Sequence, residues 1–126
     1  MDRLKGKTAF VTGAGGGIGR AIAFAMAREG ATVGLADING PLLDEARAAG
    51  EGLPIHTFPC DVADRTAVRT AVDSFADTAG GLDILVNNAV RFHYSPMTEF
   101  DPEIAASMLD IGLKGVYWSL QAATPH

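Results

Sequence analysis

Short apolar runs alternate with longer amphipathic stretches along the whole chain. The apolar runs cover residues 7–12, 32–36, 54–59 and 82–87, and they are rich in Val, Ile, Leu and Ala. Strands of a parallel sheet are buried on both faces, so they are typically continuous apolar runs of this kind. The pattern therefore predicts four strands of a parallel sheet, with the second ending at Asp37.

The first amphipathic stretch predicts a helix over residues 17–29. Its apolar residues Ile18, Ile22 and Met26 recur every four positions, which places them on one face. Gly30 follows at the position where glycine commonly ends a helix. We expect the apolar face to pack against the sheet.

Two further helices are predicted between the later strands. One covers about residues 41–49 and ends at Gly50. The other starts after Asp64, whose carboxylate is suited to an N-cap, and runs to about Thr78. The spacing of its apolar residues predicts a buried face made of Val68, Val72 and Phe75.

A last helix completes the alternating pattern. It is predicted to start at Asp101 and Pro102 and to run to about Ala122. Strands that alternate with helices form a parallel sheet with right-handed crossovers and helices on both faces. We predict an α/β fold of three layers: part of a Rossmann-type doubly wound parallel sheet, with strand order 3-2-1-4.

Composition narrows the classes of partner. The chain has 126 residues and a formal net charge of −5, which disfavours binding to nucleic acid or to anionic membranes. No apolar run approaches the roughly 20 residues that span a bilayer. Met1–Lys5 lead directly into the first strand, and Cys60 is the only cysteine, so a cytoplasmic location is expected.

The glycine-rich segment between the first strand and the first helix is the main candidate for chemistry. Gly13, Gly17 and Gly19 have the spacing Gly-x-x-x-Gly-x-Gly, whereas the Gly-x-Gly-x-x-Gly pattern fails because Ile18 takes its third position. Such a turn lets the backbone approach a pyrophosphate at the positive end of a helix. The alternative is a tight strand-to-helix turn with no ligand.

Residues Thr12–Gly19 resemble the cofactor turn of the short-chain dehydrogenase/reductase family, and later landmarks follow in that family's order. The resemblance covers essentially the whole chain. It implies an NAD(H)-dependent oxidoreductase that transfers hydride to or from an alcohol or carbonyl compound. It assigns Gly13, Gly17, Ile18 and Gly19 to cofactor binding.

Asp37 is expected to select the cofactor. In this family a carboxylate at the end of the second strand accepts hydrogen bonds from the adenosine ribose, and it would repel a 2′-phosphate. NAD is therefore favoured over NADP. The alternatives are that Asp37 is a solvated loop residue or caps the next helix.

Two further pairs of residues match the family's cofactor site. Asp61 and Val62 follow the third strand, where the family contacts the adenine; Asp61 could instead cap the helix that starts after Asp64. Asn88 and Ala89 resemble the family's Asn-Asn-Ala-Gly element, in which the amides brace the central loops. The fourth position holds Val90 instead of glycine, which puts the placement of the nicotinamide in doubt.

The family's catalytic residues have no counterpart here. Its Tyr-x-x-x-Lys pair is absent, because Tyr94 is followed four residues later by Thr98 and Tyr117 by Gln121. Its catalytic serine lies in a region beyond His126. Residues 1–126 are expected to form a single NAD(P)-binding Rossmann domain that lacks the C-terminal catalytic portion and is inactive alone.

One more departure concerns the last helix, and two hypotheses remain open. Gly112 stands where the family usually has an asparagine of a proton relay. The first hypothesis is the oxidoreductase described above; the second is a truncated or degenerate nucleotide-binding module that acts through assembly. Either is expected to self-associate through the last helix or the open edge of the fourth strand. The substrate is unidentified, and the three histidines lack the spacing of metal ligands.

Overall fold

The computed structural model describes all of residues 1–126, and its centre is a parallel sheet of four strands. The strands are β1 (Thr8–Thr12), β2 (Thr32–Asp37), β3 (Ile55–Pro59) and β4 (Ile84–Val86). Every neighbouring pair is parallel, and the order across the sheet is β3-β2-β1-β4. The predicted fold class and strand order are confirmed.

Helices cover both faces of this sheet and give the three predicted layers. Two of them pack on one face with a cluster that includes Ala9, Val33 and Leu35, and two pack on the other with a cluster around Phe10. The helices are α1 (Gly17–Arg28), α2 (Gly40–Ala49), α3 (Arg65–Ala79), α4 (Pro102–Leu109) and α5 (Gly115–Ala123), of which α1 and α2 share the first face and α3 and α5 the second.

Side chains alternate across β1 and so contribute to both clusters. Phe10 points towards α3, where its ring lies 5.7 Å from that of Phe75. Gly34 on β2 makes room for this pair, because a Cβ there would lie 2.8 Å from an atom of each ring. Aromatic packing of this kind fixes how α3 lies on the sheet.

The buried face of α1 differs from the predicted one. Ile18 is 74% exposed, and Ile22 and Met26 are only partly buried at the margin of the core. The helix instead rests on the sheet through a neighbouring face made mostly of small residues, which allow a closer approach than branched side chains would. The buried residues of α1 are Gly19, Ala23, Phe24 and Ala27.

The predicted last helix is continuous but changes its hydrogen-bond pattern in the middle. Residues Asp110–Lys114 form a π-helical turn between α4 and α5, in which the N–H of Gly115 donates to the carbonyl of Asp110. Gly112 lies at the centre of this turn with open space where a side chain would be. Gly115 packs so closely on α3's side of the sheet that a Cβ would lie 3.0 Å from Cγ2 of Val62.

Candidate functional site

A cleft of about 350 Å³ opens where the carboxyl ends of the four strands meet. Parallel α/β sheets bind ligands at this edge, because the loops after neighbouring strands converge there. Seven of the nine residues predicted from the sequence line it: Gly13, Ile18, Asp37, Asp61, Val62, Asn88 and Ala89. No cofactor contact was predicted for the other four lining residues, which are Ile38, Cys60, Val90 and Ile111.

The two predicted glycines outside the lining shape the turn beneath it. A Cβ on Gly19 would lie 2.5 Å from Nδ2 of Asn88 and closer still to the carbonyl of Gly13. Gly17 has φ = 56°, in the left-handed region that favours glycine, and a Cβ there would meet nothing within 4 Å. Gly19 therefore permits close packing, whereas Gly17 leaves open space above the turn.

The amino terminus of α1 is not capped by any side chain. Its N-cap residue is Gly16, and its first turn holds no acidic residue. The helices α2, α3 and α4, in contrast, are capped by Asn39, Asp64 and Asp101, each of which accepts a hydrogen bond from a first-turn N–H. The first N–H groups of a helix have no partner within the helix. At α1 no side chain accepts from them, and the helix dipole there favours negative charge.

Asp37 connects the glycine-rich turn between β1 and α1, called the glycine turn below, to the loop before α2. Its Oδ2 accepts a hydrogen bond from the N–H of Gly15 at 3.0 Å, and its Oδ1 accepts one from the N–H of Asn39 at 2.9 Å. The N-cap of α2 is Asn39, whose Oδ1 accepts from Leu42, so the alternative in which Asp37 caps that helix is wrong. The carboxylate is oriented by backbone donors and lines the cleft.

Asp61 and Cys60 form the part of the cleft that follows β3. Oδ1 of Asp61 accepts a hydrogen bond from the N–H of Ala63 at 2.9 Å, while the capping of α3 is done by Asp64. Cys60 is only 6% exposed. Burial, reinforced by the charges of Asp61 and Asp64, raises the pKa of the Cys60 thiol to about 11. The thiol is therefore protonated and unreactive at neutral pH.

Asn88 ties β4 to the glycine turn. Its Nδ2 donates to the carbonyls of Thr12 and Gly13, both at 3.1 Å. The hydroxyl oxygen of Thr12 accepts from the N–H groups of Asn88 and Ala89, both at 3.0 Å. Thr12 begins the segment that resembles the cofactor turn, but the sequence predicted no role for its side chain, because an apolar strand ending in threonine carries no signal of a partner on another strand.

Val90 and the loop after it form an exposed side of the cleft. Val90 is 68% exposed and has a negative φ, so its backbone is not strained. The loop is attached to α4 by a hydrogen bond of 2.8 Å from Arg91 to Ser107. Tyr94 is 85% exposed, and neither it nor Tyr117 lines the cleft. His93 packs against Phe100 rather than entering the site.

No group of three or more His, Cys, Asp or Glu side chains is arranged to hold a metal ion. None of the helices combines the length and the apolar character that crossing a bilayer requires.

Comparisons with known proteins agree with this geometry. Residues 7–126 match the family model described as short chain dehydrogenase. The chain is 41% identical over 122 residues to sorbitol dehydrogenase of Cereibacter sphaeroides, covering 95% of this chain and 46% of that protein. It is equally identical to D-threitol dehydrogenase of Mycolicibacterium smegmatis, of which it covers 47%.

Solved structures give the same result. The crystal structure of NAD⁺-bound xylitol dehydrogenase superimposes with a TM-score of 0.92 at 34% sequence identity, covering 98% of this chain and 48% of the other. The chain thus spans about half the length of the relatives that it matches.

Proposed function

This chain belongs to the short-chain dehydrogenase/reductase family, and we propose that it binds NAD(H) in the cleft. It would form the cofactor-binding part of an oxidoreductase that acts on an alcohol or carbonyl compound. The observation that carries the proposal is the uncapped start of α1, which lies beside open space over Gly17 and the carboxylate of Asp37. Donors, space and an oriented carboxylate are the features that a dinucleotide needs.

Each part of the cleft suits one part of the cofactor. The free N–H groups at the start of α1 would bind the pyrophosphate, and Asp37 would accept hydrogen bonds from the adenosine ribose. Asp61 and Val62 would contact the adenine, and the backbone at Asn88 and Ala89 would line the second ribose. NAD(H), when bound, supplies the acceptor or donor of the hydride.

The charge of the cleft favours NAD over NADP. The carboxylate of Asp37 lies in the lining, and no lysine or arginine joins it there. A 2′-phosphate would bring negative charge close to this carboxylate, which disfavours binding. The NAD⁺ in the related xylitol dehydrogenase structure supports the same preference.

The catalytic proton donor is proposed to lie outside residues 1–126. Neither tyrosine lines the cleft, and neither is followed four residues later by lysine. Residues 1–126 would then be a single dinucleotide-binding domain without turnover of its own. The relatives named for sorbitol, D-threitol and xylitol make sugar alcohols the first substrates to test.

The experiment uses the protein at its full length, whose mass is first measured against the 13.1 kDa of this chain. Calorimetric titration with NAD and NADP tests binding, and reduction of NAD with sugar alcohols is followed by absorbance. Binding of NAD together with turnover is expected. Binding of NAD without turnover of any alcohol or carbonyl compound would favour the second candidate, a nucleotide-binding module that acts through assembly.

Self-association is part of both candidates, and one apolar surface supports it. Leu109, Leu113, Tyr117 and Leu120 are each more than half exposed and share one side of the segment from α4 to α5. Exposed apolar surfaces of this kind mark interfaces, and we assign this one to a second copy. Leu113→Glu is expected to lower the mass found by sedimentation, and an unchanged mass would contradict the assignment. The proposed location is the cytoplasm, in agreement with the single cysteine of the chain, which has no partner for an internal disulfide.

A further inference from the structure

Arg20 makes several contacts in the glycine turn that the cofactor motif does not explain. Its guanidinium donates from Nε to the carbonyl of Gly15 at 2.9 Å and from a second nitrogen to the same oxygen. It also donates to the carbonyl of Leu42 at 3.3 Å and lies 3.7 Å from a carboxylate oxygen of Glu45. One side chain thus joins the turn to α2.

The peptide groups on both sides of the Gly15 Cα are held by side-chain hydrogen bonds. The N–H on one side donates to Asp37, and the carbonyl on the other accepts from Arg20. A Cβ on Gly15 would lie 2.9 Å from Oδ2 of Asp37, so the turn approaches the carboxylate as closely as glycine permits. Any rotation of the Gly15 backbone would change the direction of the N–H that orients Asp37.

The second anchor of Asp37 depends on the same arginine. Oδ1 of Asp37 accepts from the N–H of Asn39, and Asn39 caps α2 by accepting from Leu42. Arg20 contacts the first turns of α2 at Leu42 and Glu45. Both backbone donors that orient the Asp37 carboxylate therefore belong to segments that Arg20 joins.

We propose that Arg20 is a positioning residue for cofactor selection: it fixes the Gly15 turn and the start of α2, and thereby the direction in which Asp37 faces the ribose. This inference rests on the proposed binding of NAD(H). The competing role for a cation at this place is direct attraction of a 2′-phosphate. The two roles predict opposite changes in selectivity when the charge is removed.

The test is Arg20→Met in the full-length protein, with Arg28→Met as the matched control. Arg28 lies in the last turn of the same helix, over the ring of Phe24, and away from the glycine turn. Affinities for NAD and NADP are measured by calorimetry. Loss of hydrogen bonds from a charged group is expected to weaken NAD binding about fivefold to tenfold, with less than about a twofold change for NADP.

The ratio of the two affinities decides the question. A smaller preference for NAD supports positioning, and Arg20→Lys should restore only part of it because an ammonium lacks the planar fork of guanidinium. An unchanged ratio, or a larger preference for NAD, overturns the inference. If the unmodified protein binds neither cofactor, the proposed function itself fails.

A second readout does not depend on cofactor binding. In the ligand-free protein, the N–H of Gly15 should exchange with solvent faster in Arg20→Met than in Arg28→Met, because its hydrogen bond to Asp37 opens more often. Equal exchange would contradict the proposed contact. If Arg20→Met does not fold, Glu45→Gln removes one anchor and should reduce the preference for NAD by about twofold; no reduction would overturn the inference.

Discussion

Helices α1 and α3 both begin after a strand at the same edge of the sheet, yet their first turns differ in one respect. Asp64 caps α3 and accepts a hydrogen bond from Ala67 at 3.0 Å, whereas α1 begins at Gly16 with no side-chain cap. Gly16 has extended dihedral angles, φ −160° and ψ −177°, which any residue adopts. A Cβ there would meet only Leu42, at 3.8 Å.

The difference shows what glycine does at this position. Neither backbone strain nor crowding demands glycine at residue 16, in contrast to Gly17 and Gly19. What glycine supplies is the absence of a side chain that would occupy the first N–H groups of α1. A capped helix satisfies its own donors, whereas an uncapped one leaves them open to water or to a ligand.

Gly19→Ala should give the largest effect, because it destroys the turn on which the uncapped helix depends. A Cβ would overlap the carbonyl of Gly13 and Nδ2 of Asn88, and overpacking of this kind costs about 1–3 kcal/mol or more. We expect a lower unfolding midpoint and no measurable NAD binding in calorimetry. Normal affinity for NAD in Gly19→Ala would show that the turn does not pack on Asn88 as described.

Gly16→Asp should give α1 a side-chain cap of the kind that Asp64 gives α3. The carboxylate would cap the helix, raising the free energy of unfolding by a few tenths of a kcal/mol. The same carboxylate would take the donors and repel the pyrophosphate, so NAD affinity should fall about 100-fold.

Gly16→Asn is the matched control, because it caps the helix without adding charge. Its loss of NAD affinity should be smaller than that of Gly16→Asp. Unchanged affinity in both variants would mean that α1 does not bind the phosphates.

Asp37→Ala tests the ribose end of the same site. Loss of the carboxylate removes the acceptor for the ribose hydroxyls and also the repulsion of a 2′-phosphate. NAD binding should therefore weaken about tenfold, while NADP binding weakens less. Calorimetric titration with both cofactors measures the change. Equal losses for NAD and NADP would remove Asp37 from the ribose.

Asp64→Ala should have the smallest effect on NAD binding, because it changes only the capped helix α3. Removal of an N-cap carboxylate costs about 1 kcal/mol of stability. Denaturant unfolding should detect this loss, and NAD affinity should stay within about twofold, because the Asp64 side chain does not line the cleft. A large loss of NAD binding would show that the two helices are not independent.

The sequence predicted the parts of the molecule that depend on local pattern. Apolar runs fix the strands, and their order follows from the alternation with helices and from the recognised family. The glycines at 13, 17 and 19 also carry local signals, since positive φ or close packing excludes other residues at these positions.

The parts that it missed depend on partners distant in the sequence. Ile18 looks like a core residue by its spacing, but the small residues Ala23 and Ala27 lie closer to the sheet, and Ile18 faces the cleft. The π-helical turn around Gly112 is followed by Gly115, which packs on Val62, a partner distant in the sequence that no local pattern encodes. Arg20 likewise resembles a solvated helix charge until its contacts are known.

The most direct test of ligand binding at the uncapped helix is amide NMR of the full-length protein during titration with NAD. The N–H signals of residues 17–19, at the start of α1, should shift strongly, because these groups would donate to the pyrophosphate. The N–H signals of residues 65–67, at the start of α3, should stay unchanged and serve as the control within the molecule. Shifts at α3 equal to those at α1, or none at α1 under saturating NAD, would contradict the proposed site.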